Sequence, residues 1–451
     1  MSSAGQSNER FRVIGAVGAT GIIVASMVGS GIFAITGQFG ADVGTPTNLL
    51  APWVIGGLLA LCGGLSLAEL GAMIPCSGGS VEFARRAFGS TTGYLVAMVT
   101  ILSGYLLSIA VVGLFLAEYV DRLVVADLSD HTIAIAAIVI AFASQIPGLR
   151  AGYAVNTALS IVKIGVVAAF VLGGLLVPIS ARLEAPVETV TNAPGLLSPA
   201  VANATLAVSF AYLGWSTGAD IAGDIKRPGR NVPLAITASI VIVFVLYIGV
   251  NLAYLRVIDP QAMTDPNGGG MKAIGSVAAT LLFGERIGAL MTAAIALLLF
   301  STVVSGMITA ARILESMAHA GEIPAWMGVR RANGVPLRGL TVVALLSLAS
   351  LGLGSLGQIL DMLTVLVNIF SSLSVAAVLV LRRTMPDTPR PFRVPLYPFT
   401  PIVYLALAAW TVVASVITGG WFAIAASLVT VVVLLAVRPL LARRPTASSR
   451  M

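Results

Sequence analysis

The sequence predicts an all-α polytopic membrane protein of twelve transmembrane helices. Three observations carry this. Hydrophobic residues make up 57% of the 451 residues and charged residues only 10%, where a soluble domain has roughly 25% charged. The apolar residues gather into twelve long runs, and twelve spans of about 20 residues fit the length with room for loops. The cations fall between the runs with a strong sidedness. A soluble chain needs a charged, mixed surface, and a disordered one is poor in apolar residues, so both classes are excluded. The net charge of +7 is scattered between apolar runs rather than gathered on one face, which argues against nucleic-acid binding.

The runs read in order as helices over 13–39, 49–74, 93–120, 131–147, 153–177, 199–223, 234–258, 278–314, 339–354, 358–381, 398–418 and 420–438. The first is too long and Gly-rich for a cleaved signal peptide and is expected to remain as helix 1. An even count puts both termini on one side. Twenty cations then lie on the terminal side, among them Arg85, Arg86, Arg312, Arg382 and Arg390, and five on the other: Arg122, Arg182, Arg256, Lys272 and Arg286. By the positive-inside rule the termini are cytoplasmic and the protein is a multi-pass protein of the cell (inner) membrane. The longest far-side loops, near 178–198 and 259–277, are rich in Pro and Gly. Cys62 and Cys76 make neither a disulfide framework nor a metal motif, and His131 and His319 are peripheral.

Helix 1 contains Gly29-Ser30-Gly31-Ile32-Phe33. Each mid-span Gly costs about 1 kcal/mol relative to Ala, and freed backbone groups survive in lipid only where they line a cavity or are buried in protein. Helix 6 has a matching weak point at Ala211-Tyr212-Leu213-Gly214-Trp215-Ser216-Thr217-Gly218. Helices 1 and 6 are five apart, the offset of a 5+5 inverted repeat, and paired broken helices mark a transporter site. The half-helix ends present N–H groups on one side and C=O groups on the other. A zwitterion fits them, its carboxylate on the amides of Gly29, Ser30 and Gly31. Its ammonium would sit on carbonyls near Ala25 and Ser26 and at Phe210, Ala211 and Leu213. The competing reading is a close helix–helix contact through small residues.

At these residues the chain resembles the amino acid–polyamine–organocation (APC) transporter superfamily. The resemblance rests on Gly29-Ser30-Gly31-Ile32-Phe33, on Ala68-Glu69-Leu70-Gly71-Ala72-Met73-Ile74-Pro75 running to Ser77-Gly78-Gly79 and Ala87-Phe88-Gly89, and on Asp224-Ile225-Lys226-Arg227-Pro228 through Arg230-Asn231-Val232-Pro233. Gly321-Glu322-Ile323-Pro324 and Arg390-Pro391-Phe392-Arg393-Val394-Pro395 complete it. It departs at Ser80-Val81-Glu82-Phe83, where an acidic and an aromatic residue stand in altered order. It implies the LeuT-type fold: a ten-helix core over 1–383, with repeat one near 12–180 and repeat two near 199–383, followed by helices 11–12 and a cytoplasmic tail over 384–451. It also implies alternating-access transport of amino acids or related amines, with substrate at the breaks of helices 1 and 6.

Lys163 lies mid-span in helix 5, and an ionisable group at that depth is a functional hypothesis by default. The resemblance places it where sodium-coupled relatives hold a sodium ion. Ala25, Val28, Ser301, Thr302 and Ser305 are its expected contacts. An ammonium so buried can release its proton near neutral pH, which makes Lys163 a proton-coupling switch. The alternative is a permanently charged strut, with exchange as the activity. Asp220, one turn past the helix 6 break, either meets a cationic substrate, pairs with a cation such as Lys163, or faces water. Glu69 and Asp224 are expected to hold the inner gate or cap helices, and Glu118 and Asp361 to sit in the interface. Phe210 and Trp215 are candidate lids or packing residues, and Ser216 and Thr217 add polar groups at the break.

Several motifs carry nothing. Gly352-Leu353-Gly354-Ser355-Leu356-Gly357 matches a dinucleotide pattern without its strand or acidic partner, and Asn203-Ala204-Thr205 is a sequon inside helix 6. No phosphate-binding loop is present, which excludes ATP-driven transport by this chain. A divalent-metal transporter would want ligands that helix 1 lacks, a membrane enzyme would need a catalytic cluster, and a channel would not need two matched breaks. The expectation is therefore a permease and not an enzyme, most simply a proton-coupled symporter of a neutral amino acid. An exchanger for a cationic amino acid, polyamine or simple amine is the alternative. It is expected to use a proton gradient rather than sodium, with no cofactor, metal or obligate protein partner beyond substrate and lipid.

Overall fold

The computed structural model describes residues 12–441, apart from Ser30, Ser77, 125–127, 147–148, Ser180, 185–193, 266–268, Ala332, Gly419 and the side chains of 149–161 and 440–441. The described residues are helical, joined by turns and three isolated bridges. The first run is α1 (Ala16–Met27), α2 (Gly31–Ala34) and α3 (Thr36–Val43). It is followed by α4 (Pro46–Met73), a short α5 (Gly79–Phe88), and α6 (Ser90–Val99), which continues through a π-helical stretch, Thr100–Leu107, into α7 (Ser108–Asp121). Then come α8 (Asp130–Gln145), α9 (Leu149–Leu176), α10 (Pro199–Ala211), the one-turn α11 (Thr217–Asp220) and α12 (Pro228–Val257). Last are α13 (Ile274–His319), α14 (Leu337–Ser350), α15 (Leu356–Thr384), α16 (Phe399–Ile417) and α17 (Trp421–Leu441).

Eight helical stretches are long and apolar enough to cross a membrane by length and composition. Shorter apolar helices lie at Asp130–Gln145, Val162–Leu176, Pro199–Ala211 and Leu337–Ser350, so each of the twelve runs contains an apolar helix. The protein is an all-helical, polytopic membrane protein. Run 8 differs from expectation: α13 begins earlier and turns sharply at Gly284 (φ 78°), a left-handed conformation that favours glycine. The helix α5, between runs 2 and 3, has no counterpart among the predicted runs.

The ends follow local chemistry. Thr45 caps α4, its Oγ1 accepting from Asn48 N–H at 3.3 Å, with Pro46 in the first turn. Ser355 and Gln358 form a reciprocal capping box on α15. Arg256 donates to the carbonyls of Gly174 and Val177, covering the frayed end of α9.

Packing relies on small residues. A Cβ on Gly64 of α4 would come within 2.5 Å of Ile240 on α12, and Gly57 lies equally tight under the Phe244 ring. In lipid no hydrophobic driving force holds helices together, so this close approach supplies the contact. The far-side loops join the fold through backbone bonds: Leu183 N–H donates to Val257 O at 2.7 Å and Asp259 N–H to Leu183 O at 2.9 Å.

Candidate substrate site at two broken helices

The breaks of runs 1 and 6 lie against each other. α1 stops at Met27, where Val28 turns extended (φ −69°, ψ 100°). α10 stops at Ala211, and the chain crosses 212–216 as turns, with Gly214 at φ 105°. Gly31 packs so closely that a Cβ would fall 2.5 Å from Ala211 Cα, and one on Gly214 would fall 2.8 Å from Ser26 C and O. The close-contact reading of these glycines therefore holds, and it is what brings the two sets of freed backbone groups together. A cavity of about 890 Å³ opens at this junction.

The structure places Ala25, Ser26, Val28, Gly29, Gly31, Phe210, Ala211, Leu213, Trp215, Ser216 and Thr217 on the cavity wall, together with Lys163, Thr302, Ser305 and Asp220. Ser30 lies outside the described residues. Ser301 does not join them. Its hydroxyl is buried and, among the described residues, has no hydrogen-bond partner. Neighbouring residues on a helix point about 100° apart, so with Thr302 turned to the cavity Ser301 faces the packed side. Two of the carbonyls expected to take an ammonium have prior partners: Ala211 O lies 2.8 Å from Tyr247 Oη, and Phe210 O accepts from Leu213 N–H at 3.1 Å.

Lys163 is 3% exposed and donates from Nζ to Thr302 Oγ1 at 3.0 Å, and Thr302 passes its own proton to Leu298 O at 3.0 Å. The Gly29 backbone faces the same Thr302, 3.9 Å from where a Cβ would stand. The ammonium thus sits beside the break of helix 1.

Asp220, open between a cationic substrate, a cation partner and water, is held by hydroxyl and amide groups. Its carboxylate accepts from Ser80 N–H at 3.0 Å, from Ser80 Oγ, and from Ser216 Oγ at 3.3 Å, and its carbonyl accepts from Gly78 N–H at 2.7 Å. Among the described residues it makes no ion pair, so of the readings left open the pairing with Lys163 is not made. It fastens the first turn of α5 to α11 while keeping a place on the cavity wall. Trp215 is 8% exposed and packs on Tyr404, ring centroids 5.8 Å apart, and beneath Gly63, so its ring is held as a packing residue.

Ion pairs bind the terminal side. Fully buried Glu69 accepts from Arg382 Nε and Nη2 and from Val394 N–H, with Arg390 Nε 3.2 Å away but off the hydrogen-bonding angle. One carboxylate thereby joins α4, α15 and the Arg390–Pro395 segment. Arg85 of α5 pairs with Glu322 after α13. At Asp224 the backbone makes the tie: its carbonyl accepts from Ile14 N–H at 3.0 Å, and Lys226 N–H donates to Ile14 O at 2.8 Å, pinning the chain ahead of α1 to the loop after α11. Burial, with repulsion from Glu82 and Asp220 and against the pull of Arg86, pushes the Cys76 thiol beside this loop up to about 11.

Sequence reasoning missed Tyr105 and Ser103 in the π-helical stretch, Ser371 and Ser374 on α15, and Arg312 at the cavity mouth. A π-helical turn is a common mark of functional sites, but only Gly104 inside an apolar run hints at it. It also missed Tyr247, which touches both breaks.

The amino acid permease family model matches residues 14–435, almost the whole chain. The chain belongs to the amino acid permease family. This agrees with the resemblance read from its motifs. The permease is 27% identical over 418 residues to the serine/threonine exchanger SteT of Bacillus subtilis, covering 92% of this chain and 93% of that one. It is 28% identical over 429 residues to the large neutral amino acids transporter small subunit 2 of Mus musculus (92% and 78%). It is 26% identical over 412 residues to the b(0,+)-type amino acid transporter 1 of the same species (88% and 81%). By name the family and these relatives are transporters rather than enzymes.

Proposed function

We propose that this permease is a secondary transporter moving a neutral amino acid across the cell membrane by alternating access. All twelve apolar helices cross the bilayer, the first ten form two inverted LeuT-type repeats, and both termini are cytoplasmic. The observation that carries the reading is a cavity at the junction of two broken helices, lined along α1 while the half of helix 1 beyond the break, from Gly31 to Gly37, is buried. The amides of Gly29 and Gly31 take the carboxylate, Gly29 giving up its bond to Tyr247 Oη, and carbonyls near Ala25 and Ser26 take the ammonium. Among the described residues the wall holds no carboxylate for a side-chain cation apart from the already bonded Asp220, which favours a neutral substrate. Lys163 couples transport to a proton gradient, sodium has no part, and the chain works without an obligate protein partner.

Exchange is the second reading, favoured because the B. subtilis relative is named an exchanger. Uptake of a labelled amino-acid and amine panel into proteoliposomes separates the two. Proton-driven, sodium-independent uptake of a neutral amino acid, lost in Lys163→Ala, supports symport. Uptake only against internal substrate, indifferent to both gradients, overturns the coupling role and leaves an exchanger. Transport of cationic members alone overturns the substrate class.

A further inference from the structure

Three apolar helices end together on the terminal side, away from the cavity. α12 starts at Pro228, α15 ends at Thr384 and α16 starts at Phe399. The first turn of α12 packs on the segment between α15 and α16 so closely that a Cβ on Gly229 would fall 2.5 Å from Pro391 Cβ. Lys226, Arg227, Arg230, Arg383 and Arg393 stand on these touching stretches, and all five are exposed. Among the described residues none of the five makes an ion pair or donates a side-chain hydrogen bond. Buried Glu69 does not offset them, since it already holds Arg382 and stands against Arg390. Asp224 and Asp387, the other carboxylates of these stretches, make no ion pair among the described residues. The positive-inside rule asks only that cations favour this side. It does not gather five of them, without counter-ions, along one seam. Next to Arg393 lies an apolar edge, with Leu396 81% and Phe399 69% exposed. Leu396 also holds φ 54°, a conformation that L side chains rarely adopt, and the protein packs little against it. Both residues stand at the start of a span, where hydrocarbon covers what the chain leaves bare.

We propose that this seam binds the phosphate headgroup of an anionic phospholipid, with the acyl chains lying along Leu396 and Phe399. Guanidinium forks match phosphate oxygens in pairs, and each cation at an anionic bilayer surface adds to the attraction. The lipid supplies the negative charge that the chain does not, and it ties the ends of α12, α15 and α16 together. A free phosphate shares the headgroup chemistry but gains nothing from the apolar edge, so the lipid is the better complement. None of these residues lines the cavity, and the inference stands apart from the substrate reading.

Thermal melting of the purified, detergent-solubilised protein tests it, with dioleoylphosphatidylglycerol, dioleoylphosphatidylcholine or inorganic phosphate added. The glycerol lipid should raise the wild type's melting temperature by about 2–4 °C beyond the choline lipid, as a ligand of the folded state does. Inorganic phosphate should give no shift. The double variant Arg383→Gln with Arg393→Gln should lose most of the lipid shift. Should that variant not fold, Lys226→Gln with Arg230→Gln removes the same charge from the facing stretch and should show the same loss. Arg331→Gln with Arg338→Gln removes two exposed cations elsewhere on the terminal side and should keep the full shift. An equal shift with both lipids, or one that survives in the seam variants, overturns the proposal. Loss of the shift in the Arg331 and Arg338 variant would assign it to bulk charge and overturn the site. An equal shift with inorganic phosphate would make the ligand a soluble anion and overturn the lipid assignment.

Discussion

The two halves of helix 1 are held by different chemistry. Beyond the break, every residue from Gly31 to Gly37 is buried. Tyr119 donates to Phe33 O at 2.6 Å and accepts from Gly275 N–H at 3.0 Å, and Gly37 and Gly40 are covered by Met271 O and the Met263 side chain of the far-side loop. Before the break, Gly18, Gly21, Ile22 and Ser26 are exposed toward the cavity, and the described ties of this half include one backbone bridge at Ile14 and Ser239 reaching Thr20 O. The far half is a neutral, tightly packed seal. The terminal half packs one face on α12, with Ala19, Ile23, Val24 and Met27 buried, and turns its other face to the cavity, and the charge clusters near it fasten the elements around it rather than α1 itself. One half sealed on every face beside one half open on a single face is the asymmetry alternating access needs.

This contrast can be broken from either end, and the largest effect should come from the charged side. Glu69→Gln leaves Arg382 and Arg390 facing an uncharged amide in a buried site. Breaking a buried pair costs about 3–5 kcal/mol, so the melting temperature in detergent should fall steeply. A small change would mean that solvent reaches the cluster. Next in size, Gly37→Ala sets a methyl group against Met271 O and should cost about 1–3 kcal/mol by overpacking. Its sharper signature is that a cysteine placed at Ala34, inert in the parent, becomes reactive from the far side as the loop lifts. Continued protection at position 34 would show that the seal does not depend on this contact.

Tyr119→Phe removes one hydroxyl that serves both Phe33 O and Gly275 N–H, for about 1 kcal/mol or somewhat more because two buried groups lose a partner. Amide hydrogen exchange should accelerate over 31–35 and stay unchanged over 16–27. A uniform change would deny that the two halves are independent. Least disruptive is Cys76 beside the terminal-side loop. A thiol pushed up to about 11 is protonated at neutral pH, and only the thiolate attacks an alkylating reagent. Labelling should therefore be slow at pH 7 and rise about tenfold per pH unit up to pH 10. A plateau near pH 8 would place this thiol in open solvent.

Much of this was legible in the sequence because membrane folding is governed by one strong rule, that backbone groups in lipid must be satisfied internally. Apolar runs located every helix that the structure contains in the bilayer-length class, and Gly29 and Gly214 located the breaks. What sequence left open depends on helix phase and tertiary contact. Whether Ser301 or Thr302 meets Lys163 is decided by a rotation of about 100°. For Asp220 the sequence leaves a cationic substrate, a cation partner and water all open, because its partner Ser80 is 140 residues away. Tyr247 is one aromatic in an apolar run until the fold sets it between Met27 and Ala211. Arg382 and Glu69, separated by 313 positions, meet for the same reason.

Among the described residues, the cavity at the junction of the two breaks is lined by the half of helix 1 before the break, and the half beyond it is buried. The direct test of an amino-acid site open to the terminal side is a cysteine at Ala25, on the cavity wall before the break, probed with a membrane-impermeant thiol reagent in vesicles of known orientation. The account predicts rapid labelling from the terminal side, none from the far side, and slowing by the transported amino acid. Labelling from the far side alone, or labelling that no amino acid slows, would contradict it.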